Sequence, residues 1–419
     1  MLNFVAHFNK SFNSFTNHFK NVFYSPKLFL SFSSYLASLM MEHKRVSIQS
    51  ISNKNLLSSY EQLQYFISDS KWNLDTLNNS RVELFQSHPT TKSTEDGVMV
   101  IDDSGCKKSG KKTEATKIQY YGPEKRPANC NVVVVSAFIS SRKKWPINIR
   151  PYLPKDAFYK PENCNFNFKS KLELALELID DAILKKILFA DVVFDNWYFC
   201  DWFINDIEKR NLSWISEAEI NRSVCFNGKW FRVDDLVTVI PSCKFTRKVT
   251  VTNSKGKERT FRFYAFKGKV KGLSDKKLIV VAKGKWDDDD SKDAHVLVTN
   301  HLSLHAETVF QRYALRWGIE RIFQDTKDNL AFDQYQVRSI KAIARHWHMS
   351  LLAYSFLLRT MLNGSLSKIT KESPETIGEA LEIFRDLNAF ESWEFLKKNP
   401  KALTRKTRVT AKRYLKKVA

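Results

Sequence analysis

Apolar residues recur at three- and four-residue spacing through residues 1–90, which is the pattern of amphipathic helices. Four phenylalanines form one such stripe: Phe12, Phe15, Phe19 and Phe23. Pro26 interrupts this stripe, and a second apolar stretch follows it. The polar runs 68–70 and 78–80 are typical of turns or helix caps. We therefore predict a helical N-terminal domain over 1–90 with a buried aromatic face.

After the polar stretch 88–97, the pattern changes to short β-branched and apolar runs that are typical of buried strands. Three of these runs are predicted to form an antiparallel meander: 98–101, 116–122 and 131–140. The first run ends directly before Asp102 and Asp103. A further strand, 187–195, follows a predicted helix and ends in Asp195.

Residues from about 221 to 300 have the sequence pattern of short strands separated by turns. The segment 247–266 alternates in both arms around a Ser-Lys-Gly turn and predicts a hairpin. The acidic run 287–290 is predicted to be a solvated turn and not a metal site. A long helix is predicted over 336–362, and the basic tail 401–417 is predicted to be partly disordered.

These changes of pattern divide the chain into five predicted segments. They are a helical N-terminal domain at 1–90, the first part of an α/β core at 91–215, a β-rich insertion at 216–305, the second part of the core at 306–365, and a basic C-terminal helical region and tail at 366–419.

The stretch 311–327 is predicted to be one amphipathic helix. Four polar positions fall within about 60° of one another on it: Tyr313, Arg316, Glu320 and Lys327. Three apolar positions fall on the opposite side: Leu315, Ile319 and Ile322. The polar stripe places one acid between two cations and a phenol. A metal ion flanked by phosphates would suit this stripe, and a solvated helix face is the alternative.

The net charge of +22 changes the picture, because the basic residues lie along the whole chain. Such a charge favours a polyanionic partner, most simply nucleic acid. The six cysteines form no Cys-x-x-Cys pair, which argues against a zinc site and for a reducing compartment. No apolar run reaches the roughly 18 residues of a membrane span.

Asp102, Asp195 and Glu320 are the candidate catalytic acids and metal ligands. Carboxylate oxygens are the ligands that Mg²⁺ or Mn²⁺ prefers, and two such ions are the usual device for displacement at a phosphodiester. The flanking cations Arg316 and Lys327 would bind phosphates, and Tyr313 would contact a phosphate or stack on an unpaired base. Two more predicted DNA contacts complete the set: Arg321 and Arg338.

Two ligand assignments stay open. Asp103 is the alternative to Asp102, because neighbouring residues of a strand face opposite sides and only one can face the site. Asp102 is preferred, because the first acid of the family whose resemblance is described next is usually followed two residues later by serine or threonine, as Asp102 is by Ser104. Asp191, which lies deeper in the same predicted strand, is the rival of Asp195 for the second ligand.

The spacing Tyr-x2-Arg-x3-Glu-x6-Lys around Glu320 resembles the YREK signature of bacterial insertion-sequence transposases of the DDE class. The block VIDDSGCKKSGKK is similar to the first-acid region of one branch of that group, with Ser104 in place of the usual threonine. VVFDNWY resembles its second-acid motif. The resemblance covers roughly residues 10–360.

This resemblance implies an RNase H-like (retroviral integrase-like) catalytic core that a β-rich insertion interrupts. It implies metal-dependent cleavage at the element's terminal inverted repeats, followed by strand transfer into target DNA. It also implies a homodimer in the DNA complex and a cytoplasmic, nucleoid-associated protein with no membrane segment. Two alternatives remain: a structure-selective nuclease that never joins strands, and a catalytically decayed DNA-binding protein.

Overall fold

The computed structural model describes residues 10–41, 47–54, 58–163, 165–252, 258–284, 294–371 and 373–398. The chain divides into two compact units, one formed by Met1–Thr91 with Asp325–Ala419 and the other by Lys92–Gln324. The acidic run 287–290 and the basic tail 401–417 lie outside the described residues.

Helices and strands alternate only in the second unit, whereas the first is helical. The helices are α1 (Lys10–Asn17), α2 (Pro26–Met41), α3 (Ile48–Lys54), α4 (Tyr60–Ser68), α5 (Leu74–Gln86), α6 (Lys171–Leu184), α7 (Asp201–Lys209), α8 (Val233–Val239), α9 (Ala306–Ala314), α10 (Trp317–Leu330), α11 (Ile340–Leu362), α12 (Ser365–Thr370) and α13 (Ile377–Lys398). The strands are β1 (Val98–Lys107), β2 (Lys117–Tyr121), β3 (Arg126–Ile139), β4 (Lys144–Tyr152), β5 (Val192–Phe194), β6 (Trp214–Glu217), β7 (Ser223–Phe226), β8 (Lys229–Arg232), β9 (Arg247–Thr252), β10 (Glu258–Lys269), β11 (Lys276–Lys283) and β12 (Ala294–Thr299). None of the described helices is long and apolar enough to cross a membrane.

The predicted aromatic stripe at the N-terminus is confirmed, because all four of its phenylalanines are buried. Pro26 is the first residue of α2, a position where its missing N–H costs nothing. The turn predicted at 68–70 is confirmed by the end of α4. The turn predicted at 78–80 is wrong, because α5 runs through it. There Asn78 is buried and accepts hydrogen bonds from Arg81, so its polar side chain is satisfied inside the helix.

A buried arginine organises the first unit. Arg345 of α11 donates hydrogen bonds to the carbonyl oxygens of Phe66, Ile67, Ser70 and Trp72, at 2.6–3.4 Å. Its guanidinium also lies 4.4 Å from the centre of the Trp72 ring. These carbonyls belong to the end of α4 and the turn after it. Arg345 therefore joins α11 to a segment whose backbone acceptors have no helical partner.

The second unit is built on a ten-stranded mixed sheet with the order β2-β3-β1-β5-β6-β12-β11-β10-β9, in which β4 also pairs with β3. The β1–β5 and β5–β6 pairs are parallel, and the other pairs are antiparallel. Valines and isoleucines fill β1, β3 and β11, as buried central strands require. The prediction of an α/β fold with a mixed sheet is confirmed, and the architecture is consistent with an RNase H-like fold.

The predicted three-stranded meander is wrong in its order. β3, and not β2, lies in the middle, with β1 along one edge. The other edge of β3 pairs first with β2 and then with β4, because β3 is long enough to hold both. β1 also continues beyond the predicted end at Ile101, since its residues up to Lys107 pair with β3. Asp102 and Asp103 therefore lie within a strand.

The strands predicted between 221 and 300 are present and extend the sheet. β9 and β10 form the predicted hairpin, whose turn lies outside the described residues. β11 and β12 follow, and β12 pairs with β6, so the β-rich segment continues the same sheet. The small β7–β8 hairpin and helix α8 interrupt the segment before β9. The sequence pattern did not separate α8 from its surroundings, because the helix has only seven residues.

Candidate active site

Four acids line the carboxyl edge of the parallel strands. Asp102 and Asp103 lie in β1, Asp195 follows β5 directly, and Glu217 is the last residue of β6. The carboxyl ends of neighbouring parallel strands meet at one edge of a sheet, which is the usual place for a ligand. Asp195 also caps the turn that follows it, because its Oδ1 accepts a hydrogen bond of 3.1 Å from the Trp197 amide.

The stretch that carries Glu320 is two helices, and the prediction of one continuous helix over 311–327 is wrong. α9 ends at Ala314 and α10 begins at Trp317. Between them the backbone tightens into three-residue hydrogen bonds, including Arg316 N–H to the Tyr313 carbonyl at 2.9 Å. Of the predicted apolar face, Ile319 and Ile322 are fully buried and Leu315, at the break, is half-buried.

The first turn of α10 lies very close to the end of β3. A Cβ built on Gly318 would lie 2.6 Å from a methyl carbon of Ile139, the last residue of β3. Only a residue without a side chain allows the first turn of α10 to approach the sheet this closely. Glu320, two residues later, contacts Arg316, whose guanidinium also lies near Asp102.

Arg316 links the acids of different elements. Its guanidinium lies 3.0 Å from Oε1 of Glu320 and 3.7 Å from Oδ2 of Asp102. Burial alone would lower the pKa of Arg316, but Tyr313 and the carboxylates of Asp102, Glu320 and Asp195 raise it above its ordinary value. The three predicted catalytic acids thus act on one cation, although they come from β1, the end of β5 and α10.

Uncompensated negative charge remains in this cluster. Burial raises the pKa of Asp102 well above its usual range, and the neighbouring charge of Asp195 raises it further, against the opposing effect of Arg316. Burial likewise raises the pKa of Asp195, and the charge of Asp103 adds to it. Crowded carboxylates whose pKa values are raised in this way favour binding of a proton or a cation.

Asp103 has a different environment from Asp102, although both lie at the edge. Its Oδ2 accepts a hydrogen bond of 2.9 Å from the Lys171 ammonium, and its Oδ1 accepts one of 3.3 Å from the Tyr198 hydroxyl. The Lys171 ammonium also lies 4.9 Å from the centre of the Trp197 ring. Both oxygens of Asp103 are therefore occupied. Sequence reasoning missed Lys171, because its position at the start of α6 carries no motif.

Tyr313 is buried and bonded within the protein. Its hydroxyl donates a hydrogen bond of 3.2 Å to Oε2 of Glu217, and His295 of β12 contacts Oε1 of the same carboxylate at 2.6 Å. Its ring lies 5.9 Å from the guanidinium carbon of Arg316. Glu217 and His295 were missed by sequence reasoning, since only the pairing of β6 with β12 brings them together.

Asp191 does not belong to this cluster. It is fully buried at the start of the β5 segment, where Oδ2 lies 2.5 Å from the guanidinium of Arg312 and Oδ1 lies 3.7 Å from His301. Its carbonyl oxygen also accepts a hydrogen bond from the Met99 amide. Asp191 is thus held in an internal ion pair at the amino end of β5, opposite the edge that carries Asp195.

The remaining predicted DNA contacts lie on helical segments. Arg321 is half-buried in α10 within the second unit. Lys327, also half-buried in α10, and Arg338, exposed just before α11, belong to the first unit. Of the predicted cationic and phenolic set, Arg316 lies near Asp102 and Glu320, and Tyr313 contacts Glu217.

The acids suit a divalent cation in their chemistry but are not gathered around one position. Within the part of the chain that the structure describes, no three His, Cys, Asp or Glu side chains are close enough to hold a metal ion together. Arg316 explains this spacing, because its guanidinium takes the contacts to Asp102 and Glu320. The all-oxygen donor set and the raised pKa values of Asp102 and Asp195 nevertheless fit Mg²⁺ or Mn²⁺.

Two family models match the chain over this fold and site. Residues 30–231 match the model described as DDE superfamily endonuclease, and residues 170–356 match the model described as transposase DDE domain. These matches make the chain similar, over the mixed sheet and its row of acids, to enzymes of the DDE nuclease and transposase class. Transposases of this class generally depend on divalent metal ions.

A named relative is consistent with that class. The probable transposase for insertion sequence element IS701 from Microchaete diplosiphon is 24% identical to this chain over 217 residues. The aligned part is 51% of this chain and 55% of the relative, so the chain spans about half the length of that protein.

Proposed function

We propose that this protein is a DNA transposase that cleaves DNA at the ends of an insertion sequence and joins the freed 3′ end to target DNA. The proposal is carried by one observation, which is that Arg316 lies against Asp102 of β1 and Glu320 of α10, while the charge of Asp195 also acts on it. A solvated helix face would not bury an arginine against carboxylates of β1 and α10. The YREK spacing at Tyr313, Arg316, Glu320 and Lys327 supports the cut-and-paste group.

Asp102, Asp195 and Glu320 are the proposed ligands of two divalent ions. When bound, such ions supply positive charge to the attacking and leaving oxygens of a phosphodiester. Asp102 is proposed over Asp103, because both oxygens of Asp103 are held by Lys171 and Tyr198. Asp102 has only its neighbour's amide, at 2.8 Å, and the more distant Arg316.

Arg316 has two proposed roles. When no metal is bound, its guanidinium offsets part of the negative charge of Asp102 and Glu320. When cations take over that neutralisation, the guanidinium becomes available to a phosphate of the strand being cut. Tyr313 is proposed to position Arg316, because its own hydroxyl donates to Glu217 and its ring is buried.

The DNA partners remain those implied by the resemblance: terminal inverted repeats and a target duplex. The net charge of +22 supports a DNA partner. Lys327, Arg321 and Arg338 are proposed to contact phosphates, and the N-terminal helices over 1–90 to contribute to binding. We propose that two protomers assemble on the DNA, because two ends must be cut together.

The test is nicking of a duplex that carries the element's terminal repeats, with Mg²⁺ or Mn²⁺. Glu320→Ala is expected to abolish nicking while DNA binding is retained, because the Glu320 side chain is 42% exposed and its loss should not unfold the protein. Glu307→Ala, an exposed glutamate of α9, is the matched control and should nick normally. Nicking by Glu320→Ala at the normal rate would refute the assignment.

A second assay separates the transposase from a nuclease with the same core. Precut ends and a supercoiled target are supplied, and joined products are sought. A joined product that depends on Glu320 is expected. Hydrolysis without joining would favour a structure-selective nuclease, and neither reaction would favour a decayed DNA-binding protein.

A further inference from the structure

A hairpin projects from the acid-bearing edge of the sheet. It consists of β2 and the first half of β3. Tyr121 pairs with Arg126 at the turn, and Lys117 pairs with Cys130 at the base. Asp102 pairs with Val135 of β3, and Cys130 lies five residues before Val135. At about 3.3 Å per residue, the hairpin therefore begins roughly 16 Å beyond Asp102 along the same strand.

Two large apolar side chains are exposed on one face of this hairpin. Ile118 is 71% exposed and Tyr120 is 68% exposed, and their alternation in β2 places them on the same side. Between them, Gln119 is half-buried on the other face. Exposed apolar residues on an edge strand promote unwanted pairing, so their presence together indicates a contact surface.

The charge around these two side chains identifies the partner. Three exposed lysines of the hairpin and the loop before it have no acidic partner within the described residues: Lys111, Lys112 and Lys125. Other cations of the hairpin are already paired, as Lys117 is with Asp156 and Arg126 with Glu124. Exposed aliphatic and aromatic side chains on a hairpin that also carries an unpaired lysine and follows a lysine-containing loop are complementary to duplex DNA. Proteins that bend DNA insert such side chains as wedges between base steps while cations hold the phosphates.

We propose that this hairpin binds and bends duplex DNA beside the catalytic acids, with Ile118 and Tyr120 against the base pairs and Lys111, Lys112 and Lys125 on the phosphates. The proposal rests on the proposed transposase function and assigns a role to a surface outside the acid cluster. Bending would open the backbone toward Asp102, because the hairpin extends from β3, the strand that pairs with the acid-bearing strand β1.

The test uses the full chain and a random-sequence duplex of about 25 base pairs with a fluorescence donor and acceptor at its ends. Measurements are made in EDTA, so that binding is separated from cleavage. Wild-type protein should raise energy transfer as it shortens the end-to-end distance. The double variant Ile118→Ala/Tyr120→Ala should bind about tenfold more weakly and lose the bend, because stacking on bases is lost. Tyr120→Phe should retain the bend.

Leu184→Ala is the matched control. Leu184 is 81% exposed at the end of α6, where the chain returns to the amino ends of the parallel strands, opposite the acids. Its loss removes a comparable exposed apolar side chain and should leave affinity and bending unchanged. All of these side chains are exposed, so thermal unfolding of the variants should match that of the wild type.

Salt dependence tests the lysines separately. Lys111→Ala/Lys112→Ala should reduce the slope of log affinity against log salt by about 1.8, because two phosphate contacts are removed. The apolar double variant should leave that slope unchanged.

Three outcomes would overturn the proposal. They are normal bending by the Ile118→Ala/Tyr120→Ala variant, equal losses in Leu184→Ala, and loss of self-association with DNA affinity retained, which would make the hairpin a protein interface. In each case, wild-type nicking that requires Glu320 would show that the proposed function stands without the hairpin. Absence of that nicking would count against the proposed function.

Discussion

The Lys171 ammonium lies 2.9 Å from Oδ2 of Asp103, on the strand residue next to the proposed ligand Asp102. This ion pair separates two neighbouring acids into different roles, because one is neutralised within the protein and the other is not. Lys171 is itself mostly buried, and it lies against the Trp197 ring. The pair is therefore a fixed part of the site.

Asp102→Asn should abolish nicking, whereas Asp103→Asn should reduce it by about 10- to 100-fold. An amide at 102 is a poor ligand for a divalent cation, and an amide at 103 only loosens the contacts with Lys171 and Tyr198. Single-turnover nicking rates with saturating Mg²⁺ distinguish the two variants. Lys171→Ala should resemble Asp103→Asn, and Lys171→Arg should recover part of the rate. Equal loss in both aspartate variants would show that Asp103 is also a ligand.

Stability in EDTA should fall as pH rises from the ordinary Asp range through the raised pKa values of Asp102 and Asp195. In that window the folded state binds more protons than the unfolded state, so each rise in pH favours unfolding. Above it the dependence on these groups ends. Mg²⁺ at about 100 times its dissociation constant should then restore about 2.7 kcal/mol. Thermal unfolding with and without Mg²⁺ measures both effects.

Asp102→Asn is the control for that experiment. It should flatten the pH dependence, because the asparagine does not ionise, and it should diminish the stabilisation by Mg²⁺. A wild-type protein whose stability in EDTA is constant from the Asp range to neutral pH would contradict the crowding of these carboxylates.

Tyr313→Phe and Glu217→Gln should each destabilise the fold by about 1 kcal/mol, because each weakens the same buried hydrogen bond. The double variant should be destabilised by clearly less than the sum of the two single destabilisations. Urea unfolding of the wild type and the three variants gives the coupling. Strictly additive losses would mean that the hydroxyl and the carboxylate do not interact.

Gly318→Ala should destabilise the fold by about 1–3 kcal/mol and slow nicking, because its Cβ would overlap a methyl of Ile139. The displaced start of α10 would shift Glu320. A second change, Ile139→Ala, removes the overlapping methyl and should recover nicking in the Gly318→Ala background. No recovery would mean that the approach of α10 to β3 does not set the position of Glu320.

Arg345→Met should destabilise the first unit by at least about 3 kcal/mol, because several buried carbonyl oxygens would lose a charged donor. Arg345→Lys should recover only part of this loss, since one ammonium does not reach all of these acceptors. Arg338→Met removes an exposed arginine and should change stability by no more than about 0.5 kcal/mol. Calorimetric unfolding compares the three, and equal effects at 345 and 338 would contradict the role assigned to Arg345.

The elements that the sequence predicted well are those with a strong local pattern. The phenylalanine stripe, the β9–β10 hairpin and the strand before Asp195 follow from spacing and side-chain type alone. The strand order was mistaken, because the length of β3 decides its partners only in three dimensions. The break at Arg316 was also missed, since helical spacing continues across it.

The candidate site divides in the same way. Asp102, Asp195 and Glu320 were predicted because expected strand ends and a spaced helical signature mark them in the sequence. Lys171 and Tyr198 contact Asp103 across 68 and 95 positions of the chain, and Glu217 contacts Tyr313 across 96. No local pattern encodes such contacts.

The hydrogen-bonded ladder from β6 to β12 has a mechanical consequence. A β-rich segment attached only by its two chain ends would swing as an independent arm. Here β12 is hydrogen-bonded to β6, the strand beside β5, so a force applied to β9–β12 is transmitted toward Asp195. Any displacement of this segment would therefore be transmitted through β6 and β5 to the proposed ligand Asp195.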